Sequence, residues 1–428
     1  MNHPTAPLSI RAAAALGLAL MLCSGAASAQ SDPVILSFST VGDSRLDPAK
    51  DDFTQKPLSA QDYQWLQNSK AWSRILREVS AKKPSMLFFN GDMIMGYGNA
   101  SLPVALPASV TDYMNTDLAR YYTQAAFWRG MVAPVIESGT YIVPVAGNHE
   151  VQCRSGVVTT PAGLAPGVTQ NTQWANITCK DVNGNVATGK LGMKANEDAW
   201  RANFGDLIVD SGRLNAVLPN GMTVQNLSGL TAGTAPGAAD QLPTDQSKLS
   251  FSFDVGNSHF AVINTDPAGN DTTAPVSWLQ ADLAAAYSRG AQHFFVFGHK
   301  PAFTYAYPGS SGSGLDTNPN GTGNRDTFWS VIENYGATYF CGHEHIYNIS
   351  KPVKSNGQLS SAYQVLVGSG GSPFDNASAL NGTQPVTDRY YAWANVRIFQ
   401  SGKVEITGYG FSDTYGPTKL LDVVSLAR

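Results

Sequence analysis

Short apolar runs rich in β-branched and aromatic residues recur along the chain, each closed by glycine or polar residues. They cover Val34–Val41, Met86–Phe89, 141–146, 260–264, 294–297, 338–340 and 363–367, and the pattern predicts a strand at each. Several are apolar at nearly every position, as strands covered on both faces are. Between them the spacing becomes helical. Trp65, Trp72, Ile75, Leu76 and Val79 fall on one stripe, as do Leu118, Tyr122, Ala125, Trp128 and Val132. Two later stripes, Val276, Leu279, Leu283 and Ala286, then Phe328, Ile332 and Tyr335, run up to Gly290 and Gly336, each glycine a helix stop. Residues 396–398 and 404–409 add a hairpin around Ser401-Gly402.

This alternation predicts an α/β architecture. Residues 151–247 are rich in Gly, Ala, Thr, Asn and Pro, broken by a helical patch at 196–204, and read as an insertion in a single domain spanning 30–428. A second polar stretch, 305–324, reads as a surface loop.

Residues 1–29 carry Arg11, an apolar run at 12–23 and the small residues Ala27-Ser28-Ala29, the pattern of a signal peptide cleaved before Gln30. The run is shorter than the roughly 20 residues that span a bilayer. A secreted or periplasmic protein with no membrane attachment after cleavage is therefore expected. The net charge of −4 and the lack of a basic cluster disfavour a polyanion-binding module, so no nucleic-acid partner is expected. Cys153 and Cys179 flank a Gly/Thr/Asn-rich segment and read as a local disulfide, whereas Cys341 ends an apolar strand and reads as a buried thiol.

Polar residues cluster at the strand ends: Gly42-Asp43, Gly91-Asp92, Gly147-Asn148-His149-Glu150, Gly298-His299-Lys300-Pro301 and Gly342-His343-Glu344-His345. Singly these are weak, since GD is a common turn and GHxH a common polar loop. In α/β sheets, however, the carboxyl ends of strands face one crevice, so five such endings gather carboxylates, an amide and imidazoles. Mixed nitrogen and oxygen donors suit zinc, manganese or iron better than calcium. A shared carboxylate suits two ions. The chain has no GxSxG elbow, no GxxxxGK[ST] loop and no complete GxGxxG.

The order GD, GD, GNHE, GHKP, GHEH resembles the calcineurin-like metallophosphoesterases, in particular their purple-acid-phosphatase-like secreted members. Residues 251–257 and Val367-Gly368-Ser369-Gly370-Gly371 are also similar to that family. The resemblance implies a four-layer α-β-β-α sandwich of two mixed sheets flanked by helices. It implies that Asp43, Asp92 and His345 hold one transition metal ion (Mn, Zn or Fe), and Asp92, Asn148, His299 and His343 another. His149 would stabilise the pentacoordinate transition state or protonate the departing oxygen, and Glu150 and Glu344 would orient neighbouring imidazoles.

Two positions depart from the family pattern: Arg45 stands where many members have histidine, and Met95 where purple acid phosphatases have tyrosine. Tyr97 is a candidate replacement ligand. Arg45 is a candidate grip for phosphate oxygens, or the partner of Asp47. Tyr97, Tyr305 and Tyr307 are candidate pocket-lining residues. The expected activity is hydrolysis of small phosphate monoesters by a metal-bound hydroxide at a dinuclear site. The alternatives are a phosphodiesterase and, from another class, a binding protein whose first metal site has degraded.

Overall fold

The apolar runs pair as two mixed sheets in a computed structural model that describes residues 32–46, 62, 65–154, 179, 185–186, 190–231, 240, 242–307, 312–317, 324–375 and 389–426. The expected leader and Asp47 lie outside these residues. Strands are numbered here in chain order. In the first sheet β1 (Val34–Val41) runs parallel to β2 (Met86–Phe89), which is parallel to β3 (Tyr141–Pro144). A short two-stranded ribbon stands apart, β4 (Gln152–Arg154) with β5 (Lys190–Gly192). The second sheet contains β6 (Val224–Gly229), β7 (Phe251–Val255), β8 (Ser258–Val262), β9 (His293–Phe297), β10 (Thr338–Cys341), β11 (Tyr347–Ser350) and β12 (Gln364–Val367). Within it β8, β9, β10 and β12 are parallel. The first sheet is completed by β13 (Tyr390–Phe399), β14 (Val404–Ser412) and β15 (Lys419–Leu426), with β13 antiparallel to β1.

The inner faces meet in an aromatic core. Phe88 stacks on Phe297 with centroids 3.7 Å apart, and Phe38 meets Phe295 edge-on at 5.0 Å. Truncating one of these rings to alanine would cost about 3 to 5 kcal/mol through lost burial and the cavity left behind. The outer faces are covered by helices. Trp72, Ile75 and Val79 of helix Ser69–Lys82 and Ala125, Trp128 and Val132 of helix Asp117–Glu137 pack with Phe89 and Trp393 of the first sheet. Leu279 and Leu283 of helix Val276–Ser288, with Phe328 and Ile332 of helix Arg325–Asn334, pack with Val296 and Tyr339 of the second. The layer order is α-β-β-α, as expected. Among the described residues no helix is long and apolar enough to cross a membrane.

Local signals set the helix ends. The Asn68 side chain accepts from Ala71 N at 3.1 Å to cap the first helix, and its amide donates to Gly371 O at 2.9 Å. Losing the cap alone would cost about 1 kcal/mol. Gly290, at φ +93°, follows the last turn of Val276–Ser288, a conformation glycine adopts without strain.

Several expectations need correction. Tyr122 is 42% exposed and Tyr121 is buried, because 121, 125, 128, 132 and 135 continue one face of the helix at alternating four- and three-residue steps. Trp65 lies before the capped helix and stacks on Phe127. The hairpin at 396–409 is part of a three-strand meander, since β15 pairs along β14. β15 is a half-exposed edge strand and lacks the strong apolar run that marks a buried one.

Within residues 151–247, helix Lys194–Phe204 sends Trp200 and Phe204 into the core around Trp128. The expected disulfide joins Cys153 to Cys179, and Cys341 is a free, buried thiol.

Candidate metal centre

The parallel strands of both sheets end toward one place, and the loops that follow carry the polar motifs. A backbone bond joins the two sheets there, Gly42 N donating to Val367 O at 2.9 Å, and within the second sheet Gly342 N donates to His299 O at 2.9 Å. Side chains cross over as well. His299 Nδ1 donates to Asn90 O at 2.6 Å, and His343 N donates to Asp43 Oδ2 at 3.0 Å.

The loops are strained where the ligand candidates sit. Asp43, Asp92 and His343 adopt φ of 61°, 59° and 72°, a left-handed conformation that non-glycine residues seldom take. Such strain persists only where surrounding structure enforces it, and it gathers at functional sites. The neighbouring glycines are needed for close approach: a Cβ on Gly147 would lie 2.4 Å from Asp92 N, and one on Gly342 2.2 Å from Asp43 Oδ2. The Gly368-Ser369-Gly370-Gly371 stretch forms the floor under Asp43, with Gly370 N bonded to Gly42 O and Ser372 N to Asp43 O, each at 2.9 Å.

Two groups of donors result, Asp92, His299 and His343, and Asp43, Asp92 and His345, with the ligand atoms of each group within 4.8 Å of one another. They share Asp92. Asn148 joins the former group, its Oδ1 lying 2.8 Å from both His299 Nε2 and His343 Nδ1. The structure thus brings all six sequence-derived ligand candidates to one place.

The donor set fits a cation. His299 Nδ1 faces a carbonyl and so carries a hydrogen, which leaves Nε2 as the lone pair in the neutral ring. That lone pair points at Asn148 Oδ1 and, at 3.1 Å, Asp92 Oδ1, which are themselves acceptors. In the protein alone the cation is a proton: burial opposes charge on His299, but Asp92 and Asp43 override it and push its pKa up to about 9. Asp92 is buried too, yet His149, His299 and Arg45 hold it well below the usual carboxylate range. Burial raises Asp43 well above that range.

His149 lies beside the shared carboxylate, its Nδ1 on Met95 O and its Nε2 3.7 Å from Asp92 Oδ2. Burial and then Arg45 push its pKa well down. Arg45 is also at the centre: Nε donates to Asp92 Oδ2 at 3.2 Å, Nη2 is 3.5 Å from His345 Nε2, and Nη1 meets Met95 Sδ at 3.6 Å. A guanidinium therefore touches two members of the Asp43, Asp92, His345 group.

Five residues singled out in the sequence land elsewhere. Tyr97 stands on the Asn148 side, where its hydroxyl accepts from Asn148 Nδ2, and not among Asp43, Asp92 and His345. Tyr305 is buried with its hydroxyl on Ser350, and the Tyr307 hydroxyl donates to Asp375. Glu150 orients no imidazole. It accepts the backbone N–H groups of Asp92, Met93, Ile94 and Gly147 at 2.7 to 3.0 Å, clamping two ligand loops together. Glu344 likewise accepts from Tyr305, Ala306 and Tyr307. In each case the carboxylate sits where loop N–H groups turn inward without strand partners, and burial raises both acids to about 7.

Backbone carbonyls orient the rings instead, Asn90 O for His299 and Pro373 O for His345. Sequence gives no signal for a carbonyl brought in by tertiary contact. Lys300, part of the GHKP motif, is fully buried between Asp266 at 2.7 Å and Asp271 at 2.5 Å, and anchors the loop beside His299.

No protein-family model matches the sequence, and no curated protein matches it. Among solved structures, the chain is similar to purple acid phosphatase PPD1 from seeds of yellow lupin, Lupinus luteus. That likeness has 14% identity and a TM-score of 0.47 over 92% of this chain and 54% of the lupin chain, so this chain spans about half the lupin protein's length. A dimetal phosphatase from Danio rerio is similar at 10% identity and a TM-score of 0.38, over 91% of this chain and 99% of the other. Neither likeness is close enough to assign an activity.

Proposed function

We propose that the mature chain is a secreted, metal-dependent phosphoesterase of the calcineurin-like metallophosphoesterase kind, acting on phosphate monoesters. The observation that carries this reading is the pair of donor groups that share Asp92. Asp92, Asn148, His299 and His343 would hold one transition metal ion, and Asp43, Asp92 and His345 the other. When bound, such ions supply positive charge that acidifies water and offsets charge growing on phosphoryl oxygens.

The chain's own residues position and neutralise. Glu150 and the glycine turns fix the loops, so that the donors need no rearrangement. His149 lies at the edge of the shared carboxylate, where its ring would stabilise the phosphoryl transition state or, once a bound phosphoryl group favours its protonation, supply a proton to the departing ester oxygen. Arg45 presents N–H groups beside the same carboxylate for the equatorial oxygens. An added cation favours a doubly charged monoester over a singly charged diester. The Cys153–Cys179 disulfide fits an oxidising compartment and so supports export.

Hydrolysis of para-nitrophenyl phosphate by the purified mature chain tests the reading. We expect activity that a chelator removes, that manganese, zinc or iron restores, and that Asp92→Asn lowers by on the order of 1000-fold, equivalent to several kcal/mol. Faster turnover of bis-para-nitrophenyl phosphate than of the monoester would replace the monoesterase reading with a phosphodiesterase. The contact of Arg45 with Asp92 and His345 favours a second reading, a binding protein with a degraded site. Absence of any bound transition metal on elemental analysis would select it. Amino-terminal sequencing of exported protein tests cleavage, with Gln30 expected first.

A further inference from the structure

The β4–β5 ribbon stands beside the metal centre and carries two cations that the proposed chemistry does not use. Arg154 lies directly opposite Lys190 in the antiparallel register. Their side chains therefore leave the same face of the ribbon, where like charges at opposed positions destabilise the pairing. Among the described residues neither the Arg154 guanidinium nor the Lys190 ammonium makes a hydrogen bond or an ion pair. The nearby carboxylates Asp266 and Asp271 are engaged by Lys300. Burial, then repulsion from Lys300 and from Arg154, lowers Lys190 to about 8.

This pair faces the centre. Lys190 Nζ lies 5.6 Å from the centroid of the Tyr97 ring, and that ring packs on His149 at 3.8 Å. Arg154 N donates to Tyr97 O at 3.1 Å, tying the ribbon to the loop that follows Asp92. The ribbon is held firmly in place. Cys153, between Gln152 and Arg154, is bonded to Cys179, Met193 N donates to Val151 O at 2.9 Å, and Gly192 N donates to Asn270 O at 3.0 Å. Two opposed cations on a fixed support, neither with a hydrogen bond or an ion pair among the described residues, one aromatic ring away from His149, are arranged for an anion.

We propose that Arg154 and Lys190 form a second anion subsite, so that the preferred substrate is a phosphate ester bearing a second phosphate beyond the scissile one. An anion bridging the two would relieve the repulsion, and its binding is therefore favoured beyond a simple contact. This rests on the phosphoesterase reading.

The test uses the metal-loaded mature protein and a matched pair of substrates, phenyl phosphate and 1,3-phenylene bisphosphate. The wild type is expected to favour the bisphosphate in kcat/KM by tenfold or more. In the Arg154→Gln/Lys190→Gln double variant that preference should fall toward one, mainly through KM for the bisphosphate, while the melting temperature holds or rises because a like-charge pair has gone. Turnover of phenyl phosphate with no preference in the wild type overturns the subsite alone. A preference that survives in the double variant, or a lower melting temperature with both substrates affected equally, also overturns it. No turnover of either substrate with any metal overturns the phosphoesterase reading itself.

Discussion

Arg45 Nε donates to Asp92 Oδ2 at 3.2 Å, so the carboxylate shared by both donor groups is already in contact with one cation of the chain itself. The same guanidinium reaches His345, and both side chains of the ion pair are buried, at 5% and 0% exposure. A divalent ion among Asp43, Asp92 and His345 must therefore share its donors with a fixed positive charge, whereas an ion among Asp92, Asn148, His299 and His343 has one donor in common with it.

Arg45→Ala should act in opposite directions on metal and on turnover. At saturating manganese, kcat/KM for para-nitrophenyl phosphate is expected to fall about 10- to 100-fold, through lost stabilisation of the phosphoryl oxygens. Equilibrium dialysis should show two unequal manganese sites in the wild type and a tighter weak site in the variant. Equal affinities in the wild type would contradict the arrangement.

Glu150 accepts four backbone N–H groups from the loops carrying Asp92 and Asn148. Glu150→Ala leaves these buried donors without an acceptor, at about 1 to 3 kcal/mol each before relaxation or water entry. Urea unfolding is expected to show a loss of several kcal/mol and metal affinity to fall with it, with partial recovery in Glu150→Gln. A loss below 1 kcal/mol would mean the clamp is unimportant.

His259 sits away from the centre, between Asp254 at 2.6 Å and Asp282 at 2.9 Å, with Arg289 and Asn226 on Asp254 and Ser252 on Asp282. Burial opposes its charge, but the two carboxylates override this and raise its pKa above the ordinary 6.5. The folded state binds that proton more tightly than the unfolded chain. The contribution is therefore complete below the ordinary histidine value and is lost as pH rises through the folded value. Asp254 is held below 3.8, so its contribution is present above that value and lost as pH falls through the folded one. Chemical unfolding at a series of pH values should show wild-type stability declining on the alkaline side of neutrality, and His259→Gln should flatten that decline. An unchanged slope in the variant would place the dependence elsewhere.

The Cys153–Cys179 bridge closes a loop with a sequence separation of 26. By chain entropy its removal in Cys153→Ser/Cys179→Ser costs roughly 3 to 4 kcal/mol. Because Cys153 lies in β4, activity should become more sensitive to temperature in the variant, read as residual hydrolysis after heating. A variant as resistant to heating as the wild type would show that the ribbon is held without the bridge.

Much of this protein was legible in one dimension, for physical reasons. Continuous apolar runs such as Met86–Phe89 and 294–297 belong to strands buried on both faces, and a stripe such as Trp72, Ile75, Leu76 and Val79 belongs to a helix lying on a sheet. Because parallel strands end on one side, the order of the polar motifs already implied that Asp43, Asp92, Asn148, His299, His343 and His345 would meet. What the sequence could not decide depends on groups far apart along the chain or on backbone atoms. The half-exposed edge strand β15 is defined by its pairing with β14. Glu150 and Glu344 took loop N–H groups as partners because those groups, turned inward, had no strand to bond to. Where the Arg45 guanidinium points, and that Arg154 stands opposite Lys190, follow from a fold that brings residues 45 and 345, and 154 and 190, into contact or register. Hydrophobic periodicity is local and survives in a sequence, whereas the electrostatics of a site arises only when distant charges share a low-dielectric interior.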